Sequence, residues 1–295
     1  MFVLAHLSDP HLGPLPKPRL SELAGKRATG FLHWQRTRRF IHRGDLLART
    51  VADVKAQKPD HIAVTGDLVN ISLASEYPPA RAWLESLGNT RDVTLVPGNH
   101  DAYVHGASAH PQLHWGEYMR GDEGGKPSFP FLRRRGLLAL LGLSSAVPTV
   151  PLLSTGRLGA AQLARLAELL DCCREEGLFR VVMVHHPPTS RTARYLKRLV
   201  DGAALRVVLA SHGAELVIHG HDHVHSLVYF AGPQRRIPVL GVPSASQAPR
   251  GTQAAGYNLY RIDGRAGAWR CEVVARGLAP GGDAVAELNR MVLTD

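Results

Sequence analysis

Short runs rich in Val, Ile and Leu recur along this chain with helical segments between most of them, and that alternation constrains the fold more than any other feature. Strand-like runs lie at Phe2 to Leu7, His61 to Thr65, Val93 to Val96, Leu137 to Leu143, Val181 to Val184 and Leu216 to His219. Leu47, Val51 and Val54 mark one face of a helix that ends before Pro59. Pro79 to Leu87 reads as a second helix stopped by Gly88, and Leu163, Leu166 and Leu170 mark a third. This pattern predicts a layered α/β fold with a largely parallel sheet as far as His219. After His221 the strand candidates crowd together, at Ser226 to Phe230, Ile237 to Gly241, Tyr257 to Ile262 and Trp269 to Ala275, and read as antiparallel sheet. Residues 102–130 hold no sustained period and read as a long functional loop. Composition shows no linker and no internal repeat, so a single domain over residues 1–275 is expected, with an insertion at 14–45 and a C-terminal tail at 276–295.

Five short polar motifs fall just after predicted strands, where open α/β sheets place their ligands. They are Asp9-Pro10-His11, Gly66-Asp67, Gly98-Asn99-His100-Asp101, His185-His186-Pro187-Pro188 and Gly220-His221-Asp222-His223. Together they offer carboxylate, imidazole and amide groups without a thiolate, a donor set suited to Mn, Fe or Zn. In an extended segment residues i and i+2 point the same way, so Asp9 and His11 can converge on one ion, as can His221 and His223. Glycines before Asp67, Asn99 and His221 let the backbone turn sharply and come close to a metal.

The rest of the composition narrows the class. With 295 residues, 44% of them hydrophobic, the chain can bury a full core, and no run of about 18 apolar residues suggests a membrane span. Met1 leads straight into Phe2-Val3-Leu4-Ala5 with no basic segment before it, which predicts a cytoplasmic address. The three cysteines, two of them adjacent at Cys172 and Cys173, make neither a disulfide framework nor a zinc clip. The net charge of +10 is concentrated between Lys17 and Arg49, where nine basic residues face only Glu22 and Asp45. Such a patch is either a solvated face or a surface for a phosphate-bearing partner, whether nucleotide, nucleic acid or anionic lipid.

In its motifs the chain resembles the calcineurin-like metallophosphoesterases, whose signature runs DxH, GD, GNHD, HHxP and GHxH in that order. The resemblance implies a four-layer αββα sandwich of two mixed β-sheets flanked by helices. It also implies a hydrolase with two divalent or mixed-valence metal ions, Mn or Fe first and Zn next, in which a metal-bridging hydroxide attacks phosphorus. Carried over motif by motif, Asp9, His11 and His223 hold one metal, Asn99, His185 and His221 hold the other, and Asp67 bridges them. His100 is then the general acid or electrostatic clamp for the leaving oxygen, with Asp101 either orienting it or simply fixing the loop. Among the other histidines, His186 is expected to brace its turn, His6 and His61 to pack, and His219 and His225 to support the last motif. His105, His110 and His114 sit in the 102–130 segment, in reach of substrate only if that loop folds over the site.

Within that family the blocks around His11-Leu12, Thr65 to Leu68, Pro97 to Asp101 and His185 to Pro188 look most like the class III cyclic-nucleotide phosphodiesterases. The substrate is therefore a phosphate ester, and a phosphodiester is the first expectation. The long basic insertion with Phe31, Trp34, Phe40 and Ile41 departs from those compact enzymes. It raises two alternatives, a membrane-surface pyrophosphatase acting on a nucleoside-diphosphate lipid such as UDP-2,3-diacylglucosamine, and a nuclease. The first would add a peripheral membrane address. The competing reading is that Phe31, Trp34 and Ile41 merely anchor the insertion to the core. A non-catalytic scaffold is disfavoured because the full motif set is retained.

Overall fold

The apolar run Phe2–Leu7 forms strand β1, whose last four residues are buried, and the strands on either side of it set the architecture. In the computed structural model, which describes residues 1–189, 195–251, 253–279 and 284–293, β1 pairs in parallel with β2 (His61–Val64), and β2 in parallel with β3 (Val93–Leu95). On its other edge β1 pairs antiparallel with β10 (Gly256–Arg265), which leads through β11 (Ala268–Leu278) to the edge strand β12 (Val285–Leu293). A second sheet holds β4 (Phe131–Arg135), β5 (Leu138–Gly142), β6 (Phe179–Met183), β7 (Leu216–His219), β9 (Ile237–Gly241) and the edge strand β8 (Ser226–Phe230), in that spatial order.

Period-2 alternation explains how the sheets stack. Leu138, Leu140, Val181, Met183, Leu216 and Ile218 point toward Leu4, Tyr260, Ile262 and Val273 of the first sheet and form the main core. Ala139, Leu141, Val182, Val184 and Val217 point the other way, onto helices α6 (Ala160–Glu175) and α7 (Gly202–His212). The outer face of the first sheet carries α3 (Gly44–Ala56) and α4 (Tyr77–Leu87), which bury Leu47, Val54, Ala80 and Leu84. The result is two mixed sheets between two helical layers, as the motifs implied. Each fully buried Leu or Val contributes about 1.5–3 kcal/mol relative to exposure.

Four expectations need correction. The strands after His221 do not make one antiparallel sheet: β9 joins β7 in parallel in the second sheet, while β10 and β11 belong to the first. The physical reason is burial, since every residue of β9 is buried and needs neighbours on both sides, whereas every residue of β8 is half-buried and suits an edge. Residues 276–295 are not simply a tail, because β12 pairs with β11 from Cys271–Leu293 to Leu278–Val285; residues 280–283 and 294–295 of that stretch lie outside the described residues. The 102–130 segment is not all loop, since it contains helix α5 (Ala109–Trp115) followed by a short turn that buries Tyr118 and Met119, and Trp115 is fully buried. The single sheet read as far as His219 is two sheets, divided between β3 and β4.

The 14–45 insertion is helical. It runs through α1 (Lys26–His33), a π-helical turn at Trp34–Arg38 and the short α2 (Arg39–Ile41). Trp34 is buried and Phe31 packs with Ile71, Leu73 and Tyr103, so these two aromatics face the protein, while Phe40 is exposed. The turn between α1 and α2 brings one basic residue inward, with consequences for the site.

Candidate metal centre

The carboxyl ends of β1, β2 and β3 in one sheet meet those of β6 and β7 in the other, and all five motifs fall at that junction. The loops there are tightly bound to one another. The Asp9 amide donates to the Gly66 carbonyl at 3.0 Å, the His11 amide to that of Asp67 at 3.1 Å, and the Gly220 amide to that of His185 at 3.1 Å. Five of the predicted site residues, Asp9, His11, Asp67, His221 and His223, have φ between 40° and 70°. For a residue with a Cβ this left-handed conformation costs about 1–2 kcal/mol, and it persists where surrounding structure and function demand it.

Side-chain donors converge in two sets. In the first, His223 Nε2 lies 3.1 Å and His11 Nε2 3.8 Å from Asp9 Oδ1, and His11 Nε2 is also 3.8 Å from Asp67 Oδ2. In the second, His185 Nε2 lies 3.4 Å from Asp67 Oδ2, 3.2 Å from Asn99 Oδ1 and 3.2 Å from His221 Nδ1. One atom, Asp67 Oδ2, therefore faces both sets. For metal bonds of about 2.1 Å, neighbouring ligand atoms stand roughly 3.0 Å apart in an octahedron and 3.4 Å apart in a tetrahedron, so the separations of 3.1–3.4 Å fit, while the two of 3.8 Å at His11 would close by about 0.4 Å.

The protonation pattern points the same way. His185 Nδ1 donates to the Thr65 carbonyl at 2.6 Å, which leaves Nε2 as a lone pair facing three other electron-rich atoms. Only a cation or a proton reconciles them. Burial works against a charged His185, yet the Asp67 carboxylate raises its pKa to about 10, so the pocket holds positive charge strongly. His11 donates through Nδ1 to the Val69 carbonyl at 3.3 Å and likewise turns Nε2 inward. Burial pushes His11 and His221 well below the ordinary histidine range, keeping these imidazoles neutral, as ligation requires; burial and then the Arg38 charge lower His100, which is no ligand, in the same way. Asp9 is also opposed by burial, but His223 beside it holds its pKa well below the usual carboxylate range.

His100 and Asp101 behave differently from each other. The His100 ring gives Nδ1 to the Asn70 carbonyl and lines the cleft above the two donor sets. Asp101 does not orient that ring. Its oxygens accept the backbone amides of Gly98 at 2.8 Å, Asp67 at 2.9 Å, Leu68 at 2.8 Å and Val69 at 3.2 Å, which ties the β2 and β3 loops together. Burial, followed by the Asp67 charge, raises its pKa to about 7.

Of the remaining histidines, His186 has both nitrogens engaged, with Ser145 Oγ at 2.7 Å and the Ser154 carbonyl at 3.1 Å, as a brace would. His6 and His61 bond Thr65 and Thr94 within the sheet. His110 and His114 stack on Tyr77, outside the residues that line the cleft.

Two further side chains at the site come from the insertion, Arg38 out of its basic run and His42, which no motif marks. His42 packs 4.3 Å from the His11 ring and 5.6 Å from His223, held by Ser246 Oγ at 3.0 Å. Arg38 lays its guanidinium against His11 and His100. Both line a cleft of 870 Å³ that opens over Asp67, Asn99 and His221 and is walled by Lys26, Ile41, Tyr103, Leu152 and Lys197.

A probable cyclic nucleotide phosphodiesterase of Synechococcus is 27% identical over 233 residues, covering 77% of this chain and 80% of that protein. A dimetal phosphatase from Danio rerio shares the fold with a TM-score of 0.66 at 13% identity, covering 99% of this chain and 98% of that one. A purple acid phosphatase from yellow lupin (Lupinus luteus) seeds gives 0.61 at 10% identity, covering 99% of this chain and 53% of the lupin chain. The family description of calcineurin-like phosphoesterases matches residues 2–225, and the chain, a metal-dependent phosphoester hydrolase, belongs to that family.

Proposed function

We propose that the chain is a phosphodiesterase working through two metal ions. Asp9, His11 and His223 would hold one and Asn99, His185 and His221 the other, with Asp67 shared. The observation that carries this reading is the position of Asp67 Oδ2, a single oxygen facing both donor sets. When bound, a metal pair polarises phosphoryl oxygens and makes water nucleophilic at neutral pH, and Mn or Fe suits the mixed carboxylate, imidazole and amide donors.

The protein's own groups do the rest. Loop contacts among Asp9, Gly66, His185 and Gly220 hold the ligands rigid, so little reorganisation accompanies reaction. His100 lines the cleft with Nδ1 given to the Asn70 carbonyl, and the ring would donate to the leaving oxygen only when Nε2 also carries a proton. Preference for a diester is supported by the likeness to the Synechococcus protein, a probable cyclic nucleotide phosphodiesterase. The test is hydrolysis by the metal-reconstituted protein of bis(p-nitrophenyl) phosphate against p-nitrophenyl phosphate. Faster turnover of the diester is expected, and a monoester preference or metal-independent hydrolysis contradicts the reading.

A second reading, a nucleoside-diphosphate lipid cleaved at a membrane surface, is favoured by Leu152, which lines the cleft yet is 86% exposed. Binding to anionic vesicles, lost when Leu152 and Phe40 are made polar, would distinguish it.

A further inference from the structure

We propose that the insertion gives this site a second anion subsite, so that its substrates carry a second phosphate besides the one at the metals. The inference rests on the phosphodiesterase reading above and names the substrate class it serves.

Arg38 is the first observation. Its Nη2 lies 2.8 and 2.9 Å from the two ring nitrogens of His11, and its Nη1 lies 3.0 and 3.2 Å from those of His100. It therefore spans a metal-facing histidine and the histidine assigned to the leaving oxygen. Among the described residues no salt bridge is formed by Arg38, and the contacts of its two terminal nitrogens are the His11 and His100 rings. A half-buried guanidinium beside a centre built for two cations is repelled by them unless an anion lies between. A phosphate oxygen pair fits that place, because the planar fork of arginine matches it bidentately.

Lys26 is the second. It too comes from the insertion, is buried, and lines the same cleft. Its Nζ stands 4.2 Å over the Tyr103 ring, which in turn stacks on His100 at 5.1 Å and 17°, and it donates to Thr149 Oγ1 at 2.5 Å. The file His100, Tyr103, Lys26 leads away from the metals along one wall, and Lys197 lines the same cleft with Arg250. Among the described lining residues the only carboxylates are Asp67, committed to the metals, and Asp222. One phosphate between the metals and Arg38 leaves Lys26 and Lys197 available for another. An anhydride and a bisphosphorylated ester present the same chemistry there.

The experiment uses metal-loaded full chain, with metal content measured in each sample, and titrates adenosine 5′-monophosphate, 5′-diphosphate and 3′,5′-bisphosphate by calorimetry and as inhibitors of diester hydrolysis. At least one doubly phosphorylated ligand should bind about tenfold tighter than the monophosphate, and which one does so distinguishes an anhydride from a bisphosphate. In Lys26→Met with Lys197→Met that advantage should shrink below about twofold. In Arg38→Ala all three should weaken about tenfold or more while two metals per chain remain, with Arg38→Lys recovering only part. Equal binding of all three ligands by the unaltered protein overturns the proposal, as does an Arg38→Ala chain that binds them unchanged or weakens only by shedding metal. Absence of metals, or of diester hydrolysis, in the unaltered protein would instead overturn the phosphodiesterase reading beneath it.

Discussion

Replacing Gly98 by alanine should disable the metal centre while leaving the protein folded. A Cβ at Gly98 would stand 2.6 Å from the Asp67 amide nitrogen and 2.8 Å from its Cγ, and closer still to Oδ1. Comfortable contacts lie near 3.5 Å, so the two segments must part by roughly 0.7–0.9 Å at Cγ and the amide nitrogen and by more at Oδ1. Neither side can yield cheaply, because the Asp67 amide is held by Asp101 at 2.9 Å and Asp67 Oδ1 accepts the His100 amide at 2.7 Å. The shift therefore passes to Asp67 Oδ2, the shared atom, whereas metal–ligand distances tolerate only about 0.2 Å. Overpacking of this kind costs about 1–3 kcal/mol against a typical total of about 5–15 kcal/mol, so the fold survives. Urea unfolding and elemental analysis of the same preparation would show a lowered midpoint and fewer than two metals per chain. Gly44→Ala is the control, since nothing lies within 4 Å of its added Cβ. A Gly98→Ala chain that binds two metals with unaltered affinity would refute the reasoning.

Asp67→Ala should weaken both metals together, because it removes the carboxylate that offsets repulsion between them; loss of one ion alone, read by elemental analysis, would contradict a shared role. His100→Ala should keep both metals and lose about 10²–10⁴ in kcat, less for esters with good leaving groups, in a steady-state comparison of leaving groups. Asp101→Asn turns an amide group toward two of four buried backbone donors and should lower stability by about 2 kcal/mol or more in urea unfolding. Unaltered stability with a large rate loss would make Asp101 catalytic instead. Chelation of the metals should lower the melting temperature, as loss of a ligand held at 100 times its Kd removes about 2.7 kcal/mol, and calorimetry with and without chelator checks this.

The parallel strands were legible because their Val and Ile runs are buried on both faces, and the motif residues because they stand directly after those strands. Edge elements were not. β4 carries Arg133, Arg134 and Arg135, and its buried Arg133 is satisfied by the carbonyls of Arg120, Thr90, Val93 and Glu117, contacts no periodicity reveals. β12 buries no residue fully, and Glu287 to Arg290 are all exposed, so it resembled a tail. For Asp101 the sequence left two roles open, orienting His100 or fixing the loop, and the loop turns its carboxylate back onto four amides. Arg38 and His42 were hidden within a basic run, where which residue turns inward depends on the π-helical turn at Trp34–Arg38 rather than on charge.

The central claim is that one carboxylate oxygen joins two metal sites, and the most direct measurement is the metal stoichiometry and magnetic coupling of the Mn(II)-loaded chain. Elemental analysis should give two ions per chain, and electron paramagnetic resonance should show an exchange-coupled pair, because Asp67 Oδ2 faces both donor sets. A single ion, or two ions with no coupling between them, would contradict the account.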